Sequence, residues 1–254
     1  ADHLTLTVTS PLEARAIGVS ILSTAAFAKT GSTIDFGLGS IVTAKGYAIK
    51  GLSAGGTNSK IIGDSLQVSA EGERSTGVQV DDYGTIDLGV GSQVAVKGNL
   101  ATGINVYSTN NALFKGKELT VYGDGPNLSG FVVNYQGANA QVDGGSIELT
   151  GTNGQGVRGY RESLTRLENV DITITGNSGK GIVAETDATI NFIGGDMNII
   201  GSDSYGVKAS GAISTKTATN IENSIITMDG LYNYGAFMES YGGGAGAISL
   251  KNSE

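Results

Sequence analysis

A short motif that begins with glycine recurs along the chain at nearly constant spacing. A small residue is followed by a hydrophobic residue, any residue and usually a second apolar one. A regular repeat of this kind is typical of solenoids, in which each unit packs only on its neighbours and the molecule presents an extended surface. The nine copies start at Gly18, Ala48, Gly77, Gly103, Gly130, Gly156, Gly181, Gly206 and Gly235.

Each repeat contains three short segments in which apolar and polar residues alternate. In the repeat that starts at Gly77 these segments are residues 78–80, 85–88 and 93–96, with turn residues between them. Alternation with a period of two is typical of half-buried strands, and no stretch has a convincing helical period. The sequence therefore predicts an all-β fold, a parallel β-helix of about nine coils with three short strands each, with an early strand near residues 4–8.

Composition agrees with this fold and excludes several classes of partner. The 41 glycines are far above the ordinary fraction, and the low count of two prolines is expected when nearly every segment needs its N–H groups for pairing. The net charge of −8, with no basic block, argues against nucleic acid. There is no apolar run long enough to cross a bilayer, so we expect the domain itself not to be embedded in a membrane.

The nine motifs, the segments at residues 85–89 and 94–98, and the absence of cysteine resemble the passenger region of bacterial autotransporters, in the pertactin and AIDA-like adhesin group. The resemblance covers almost the whole chain. It implies a right-handed β-helix, type V secretion, and a place on the outer membrane surface of a Gram-negative bacterium or release from it. It also implies a role in cell adhesion, virulence or biofilm formation.

The family's C-terminal β-barrel translocator has no counterpart in this sequence. We therefore expect residues 1–254 to be a single parallel β-helix domain that is a fragment of a longer passenger.

Some autotransporter passengers are serine proteases, and their nucleophile has only a weak counterpart in this chain. The nearest match to a Gly-Asp-Ser-Gly motif is residues 176–179, where other repeats have an ordinary turn. The chain has one histidine, His3, which is remote from Ser178 in the repeat order. A serine nucleophile needs a base within hydrogen-bond reach, so the sequence does not predict a protease.

Carboxylate pairs are the other chemistry to consider, because some β-helices cleave polysaccharides with two acidic residues. The adjacent pair Asp81 and Asp82 lies in a turn, where aspartate is favoured for backbone hydrogen bonding. Glu185 and Asp187 form a second candidate pair. No calcium-loop motif is present. We expect no enzymatic activity, no metal site and no cofactor.

Tyrosines provide the candidate binding residues. Four of the ten tyrosines follow the first strand of four successive repeats, and three others, Tyr47, Tyr205 and Tyr234, directly precede the motif. In a stacked solenoid, similar offsets place side chains along one edge, and tyrosine offers the rigid amphipathic surface that is enriched at binding hot spots. The same tyrosines are also suited to covering the corners of the coils. The predicted ligand-binding residues are Tyr83, Tyr107, Tyr135, Tyr160, Arg158 and Arg161.

These observations lead to one functional expectation and two alternatives. We expect a surface-displayed adhesin passenger that binds host extracellular matrix protein or glycans. The first alternative is self-association, in which another copy of the chain is the partner and cells aggregate. The second is a polysaccharide-cleaving enzyme, for which a groove lined by carboxylates from neighbouring coils would be required.

Overall fold

The computed structural model describes residues 4–9, 24–211, 217–240 and 246–254, and every regular element in these ranges is a β-strand. The strands pair in parallel from coil to coil, which confirms the predicted parallel β-helix. The strands are β1 (Thr5–Thr9), β2 (Thr24–Ala28), β3 (Thr33–Leu38), β4 (Ile41–Lys45), β5 (Lys50–Ala54), β6 (Lys60–Asp64), β7 (Gln67–Glu71), β8 (Thr76–Val80), β9 (Thr85–Val90), β10 (Gln93–Lys97), β11 (Thr102–Tyr107), β12 (Ala112–Asp124), β13 (Ser129–Asn134), β14 (Ala138–Thr150), β15 (Gln155–Tyr160), β16 (Leu164–Thr175), β17 (Lys180–Glu185), β18 (Thr189–Ile193), β19 (Met197–Ile200), β20 (Tyr205–Gly211), β21 (Ala218–Glu222), β22 (Ile226–Asp229), β23 (Tyr234–Ser240) and β24 (Ala247–Lys251).

The first strand of each coil belongs to a nine-stranded sheet in the order β2-β5-β8-β11-β13-β15-β17-β20-β23. Nine stacked strands enclose eight intervals, so the solenoid makes about eight turns. At ~4.8 Å between neighbouring strands this sheet is roughly 38 Å long. The remaining strands form a fifteen-stranded sheet.

The second and third strands of a coil are separate near the ends of the solenoid but continuous in its centre. In β12, β14 and β16 the two strand segments are joined into one long strand. Neighbouring strands pair along its whole length except at one unpaired residue each, namely Glu118, Gly144 and Asn169. These three residues have positive φ angles, so each coil bends there within one residue while the ladder continues on both sides. The predicted three short strands per coil therefore become two in these three coils.

The strand register corrects the first two predicted copies of the motif. Leu52 pairs with Val78, so Gly51, and not Ala48, is the equivalent of Gly77. Ala26 pairs with Leu52, which places the earlier equivalent at Ala25, and residues 18–21 lie outside the described ranges. With these two corrections the first copies of the motif are evenly spaced, and the repeat is tighter than the sequence pattern alone indicated.

The motif glycines are required by close packing between coils. A Cβ atom at Gly51 would lie 2.6 Å from the carbonyl oxygen of Gly77 and 2.6 Å from Val68 Cγ1. The same clash, with the next motif glycine's oxygen at 2.6 to 2.7 Å, recurs along the sheet. It affects Gly77, Gly103, Gly130, Gly156, Gly181 and Gly206.

A second column of glycines, which is not part of the predicted motif, lies in the turn before the first strand. These residues have φ angles between +128° and +149°, a region that side chains resist. A Cβ atom at Gly151 would lie 2.0 Å from the carbonyl oxygen of Gly125, one coil away. This column consists of Gly46, Gly72, Gly98, Gly125, Gly151, Gly176, Gly201 and Gly230.

The core consists of inward-facing apolar residues that stack on their equivalents in the next coil. One column runs through the third strands, and all but its last residue are buried. Phe114 and Phe131 are fully buried and meet edge to face, with ring centroids 5.8 Å apart. The third-strand column consists of Val42, Val68, Val94, Val121, Ile147, Ile172, Met197 and Ile226.

Substitution of a motif glycine tests whether coil stacking limits stability. We expect Gly156→Ala to lower the free energy of unfolding by about 3 kcal/mol, because its Cβ would meet the backbone oxygen of Gly181 at 2.6 Å. Gly37→Ala is the control, because no neighbouring atom lies within 4 Å of the position of its Cβ atom. Only the left-handed φ of 62° disfavours alanine there, and we expect it to lower the free energy of unfolding by about 1 kcal/mol. Urea denaturation of both variants measures the difference, and equal losses would contradict the stacking argument.

A buried threonine provides a second stability test. Thr165 occupies the core column between Ala140 and Ile190, is fully buried, and its hydroxyl has no hydrogen-bond partner among the described residues. We expect Thr165→Val to stabilise the chain by about 1 kcal/mol, because an unpaired buried hydroxyl is removed. Thr217 is the control, since its Oγ1 accepts the backbone N–H of Asp187 at 2.7 Å, and Thr217→Val should destabilise. A loss of stability in Thr165→Val would contradict this interpretation.

Candidate functional site

Three of the four predicted tyrosines meet at one edge of the nine-stranded sheet. Tyr107 and Tyr160 occupy the same register position two coils apart, and Asn134 lies between them. Tyr135, one residue after Asn134, has a φ of 78°, and its ring contacts that of Tyr107 edge to face, with centroids 4.9 Å apart. The similar offsets of Tyr107 and Tyr160 from their motif glycines thus predicted their shared position correctly. Tyr135 lies one residue farther along, and its left-handed backbone conformation turns its ring toward Tyr107.

Arg161 connects the tyrosine rings. Its guanidinium carbon lies 4.6 Å from the ring centroid of Tyr135 and 4.8 Å from that of Tyr160, and the guanidinium donates a hydrogen bond to the Tyr135 hydroxyl. The Tyr160 hydroxyl raises the pKa of Arg161, and the Tyr135 hydroxyl raises the pKa of Tyr107. Tyr107 remains 44% exposed, and Tyr135 and Tyr160 are half-buried. We call Tyr107, Tyr135, Tyr160 and Arg161 the tyrosine–arginine cluster.

Arg158 borders this cluster and is held by a carboxylate in the next coil. Its Nε and Nη2 atoms donate to Glu185 Oε2 at 2.8 and 2.6 Å, and its guanidinium carbon lies 5.6 Å from the Tyr160 ring centroid. This two-point contact fixes the guanidinium plane on the outer face of the sheet. Five of the six predicted ligand-binding residues therefore lie in this cluster or next to it.

Tyr83 is the predicted residue that the structure separates from the others. It lies in the turn after β8 with a φ of 60° and is exposed, and among the described residues no ring contact joins it to the cluster. The residue that stacks on Tyr107 in that coil is Asp81, because Val80 pairs with Val106. Its offset of six residues from the motif glycine therefore carries Tyr83 past the edge that the other three share.

Two further sequence interpretations change in the structure. Gln79 is the polar residue of the alternating segment 78–80, a position that normally faces water, but it is only 5% exposed. It donates to Asp81 and accepts from Asn105 within a ladder of polar side chains. Tyr47 lies in the turn of Gly46 and does not share the position of Tyr205, whose equivalent in that coil is Lys50.

A second aromatic group, of which the sequence indicated only the two tyrosines, lies farther along the same sheet. Tyr205 and Tyr234 are paired in register and stacked, with ring centroids 5.3 Å apart and an interplanar angle of 12°. Phe237 lies 5.2 Å from Tyr205 and 5.6 Å from Tyr234, and the ammonium of Lys208 lies 5.6 Å from the Phe237 centroid. Phe237 was not anticipated because it belongs to a column that is polar in several other coils. We call Tyr205, Tyr234, Phe237 and Lys208 the second aromatic cluster.

Of the residues considered for catalysis, Asp81 and Asp82 accept hydrogen bonds through their carboxylates, and Ser178 is bonded through its backbone. Residues 176–179 form a turn, in which Ser178 N–H donates to the Ser202 carbonyl at 2.8 Å, while His3 lies outside the described ranges. Asp82 accepts from the Ser108 hydroxyl and the Thr109 N–H, each at 2.8 Å, and Asp81 accepts from Gln79.

A groove of about 300 Å³ lies on the fifteen-stranded sheet, away from the predicted residues. It contains three carboxylates, from Asp87, Asp143 and Glu168, and cationic groups that include Arg166, which is paired with Glu168. Asn169 donates to Asp143 at 3.2 Å. Carboxylates from several coils thus line one groove, although no sequence motif indicated that these three would meet.

Over the described ranges, no three His, Cys, Asp or Glu side chains come together as a possible metal site. The same ranges contain no helix able to cross a membrane. Comparison of the chain with known protein families, curated proteins and solved structures returned no match.

The hydrogen bonds to Asp82 predict a stability that depends on pH. They hold the pKa of Asp82 below its usual value of 3.8, with the Ser108 hydroxyl as the main cause. A lowered pKa adds stability that is present above the unfolded-state value and is lost as the pH falls through the folded-state value. We expect Asp82→Asn to cost about 1 kcal/mol at neutral pH and progressively less as the pH falls below the usual value of 3.8.

Urea denaturation at neutral pH and at several pH values below 3.8 measures this difference. Asp203→Asn is the control, because Asp203 is an exposed turn residue whose side chain makes no hydrogen bond among the described contacts. A constant difference between wild type and Asp82→Asn across this pH range would contradict the assignment.

Proposed function

We propose that the chain is the passenger of a bacterial autotransporter and acts as an adhesin that binds a glycan at the tyrosine–arginine cluster. The repeat motifs supply the resemblance to autotransporter passengers, and with it the expected place on a Gram-negative cell surface. The observation that carries the binding proposal is the meeting of Tyr107, Tyr135, Tyr160 and Arg161 at one partly exposed edge.

The chemistry of this edge suits a sugar. The apolar C–H face of a pyranose ring packs on an aromatic ring, and a phenol hydroxyl can donate to or accept from sugar hydroxyls. A guanidinium presents several donors in a fixed plane, so Arg161 can reach hydroxyl or carboxylate oxygens beside the rings. The contacts among these side chains restrict their motion before a ligand arrives, which lowers the entropy lost on binding.

Alanine substitutions in the cluster test the proposal. The wild-type chain is passed over immobilised matrix proteins, glycosaminoglycans, and neutral and acidic polysaccharides. On a polymer that retains it, we expect Tyr107→Ala and Tyr160→Ala each to weaken binding about tenfold, as for an aromatic hot spot.

Tyr122→Ala is the matched control, because Tyr122 is exposed to a similar extent (40% against 44% for Tyr107) but lies on the fifteen-stranded sheet. An equal effect of Tyr122→Ala, or no effect of the cluster variants, would contradict the site. Sedimentation that depends on protein concentration, without retention on any surface, would favour self-association instead.

The groove at Asp87, Asp143 and Glu168 favours polysaccharide cleavage as a second candidate function. Glycoside hydrolysis uses two carboxylates on either side of the scissile bond. The polymers recovered from the binding assay are therefore sized by chromatography. Shortened polymer from wild type, and intact polymer from Asp143→Asn, would support cleavage, whereas intact polymer from both would exclude it for the substrates tested.

A further inference from the structure

Two aromatic clusters lie along the outer face of the nine-stranded sheet, with cationic residues between them. Tyr107 is in β11 and Tyr234 is in β23, five coil intervals apart, which is about 24 Å at ~4.8 Å per interval. A groove of about 260 Å³ lies between the clusters. Its lining residues are Arg158, Tyr160, Glu185, Thr186, Lys208, Ser210, Gly211 and Glu239.

Lys180 is a cation on this face without a salt-bridge partner among the described residues. It stacks in register between Gln155 and Tyr205, is half-buried, and its ammonium lies 3.4 Å from the Ser178 carbonyl oxygen. Burial lowers its pKa, and the positive charges of Lys208 and Arg158 lower it further, against the opposite effect of Glu185. A group in this situation is stabilised by an incoming anion, which would reduce both the repulsion and the cost of its burial.

The local charge is opposite in sign to that of the whole chain. Arg158, Arg161, Lys180 and Lys208 contribute four positive charges, against the carboxylates that pair with Arg158 and Lys208. These carboxylates belong to Glu185 and Glu239. These six side chains carry an excess of about two positive charges on a protein with a net charge of −8, while Glu162 beside Arg161 and Asp82 near Tyr107 are acidic groups at the outer end of the face. The part of the face around Lys180 is therefore the complement of an acidic ligand.

We propose that an acidic polysaccharide of the uronate type lies along this face, from the tyrosine–arginine cluster across Lys180 to the second aromatic cluster. Aromatic rings at both ends pack on sugar rings, and the cations between them meet the carboxylates of the polymer. Glu185 and Glu239 can accept hydrogen bonds from sugar hydroxyls. A nucleic acid is a poorer fit, because its closely spaced phosphates would require a denser group of cations without carboxylates among them. This inference rests on the proposed glycan-binding function and names its ligand class and a second subsite.

The probe is polygalacturonate, compared with the same polymer after full methyl esterification, which removes the charge and keeps the sugar backbone. We expect the wild-type chain to bind the acidic polymer at least about tenfold more tightly than the ester, with a difference that shrinks at high salt. Lys180→Met and Tyr234→Ala should each weaken binding to polygalacturonate about tenfold. Lys180→Met should leave binding to the ester nearly unchanged, because the ester carries no charge for Lys180 to meet.

Lys45→Met is the matched control, because Lys45 is exposed on the fifteen-stranded sheet and lines neither of the two grooves described above. Circular dichroism and urea denaturation of each variant verify that the fold is retained. Equal affinity for both polymers, with a continued loss in Tyr107→Ala, would overturn this inference and leave the proposed function standing. Absence of binding to either polymer would overturn it for this ligand class. Tighter binding of single-stranded DNA than of polygalacturonate, or a loss only in Lys45→Met, would overturn it as well.

Discussion

Successive coils contact each other backbone to backbone, and this contact sets the geometry of the whole solenoid. Two columns of glycine, one in the first strand and one in the preceding turn, lie so close to the next coil that a Cβ atom would meet a carbonyl oxygen at 1.9 to 2.7 Å. Because the chain passes these two points in every coil, the coils are forced into register. The columns of core residues and surface residues follow from that register.

The register determines which surface residues meet. Residues one repeat apart in sequence become neighbours, which is why Tyr107 and Tyr160 share a column and why Arg158 reaches Glu185 one coil away. The turns add a second level of control. Tyr135 and Arg161 have left-handed backbone conformations, which bring their side chains onto the edge that the strands define. The candidate site therefore depends on strand register for its columns and on turn geometry for its contacts.

Stacking also concentrates charge that the composition conceals. A chain with a net charge of −8 has cations on one face because Lys180 and Lys208 fall in neighbouring columns of adjacent strands, next to Arg158. Elsewhere opposite charges alternate from coil to coil, as in the pair of Lys45 with Glu71 and the pair of Lys97 with Asp124. The same ladder geometry thus produces both neutral stripes and a locally cationic surface.

The sequence was sufficient to predict the parallel β-helix, its approximate number of coils and most of its strands, because strand alternation and the glycine-led repeat are local properties of each coil. Five of the six residues that it predicted for ligand binding lie in and beside the tyrosine–arginine cluster. Four features required the three-dimensional structure: the register of the first coils, the separation of Tyr83 from the cluster, the burial of Gln79, and the second aromatic cluster with Lys180. These features depend on which residues of neighbouring coils face each other, and a small difference in coil length, which the motif tolerates, moves a side chain to another column.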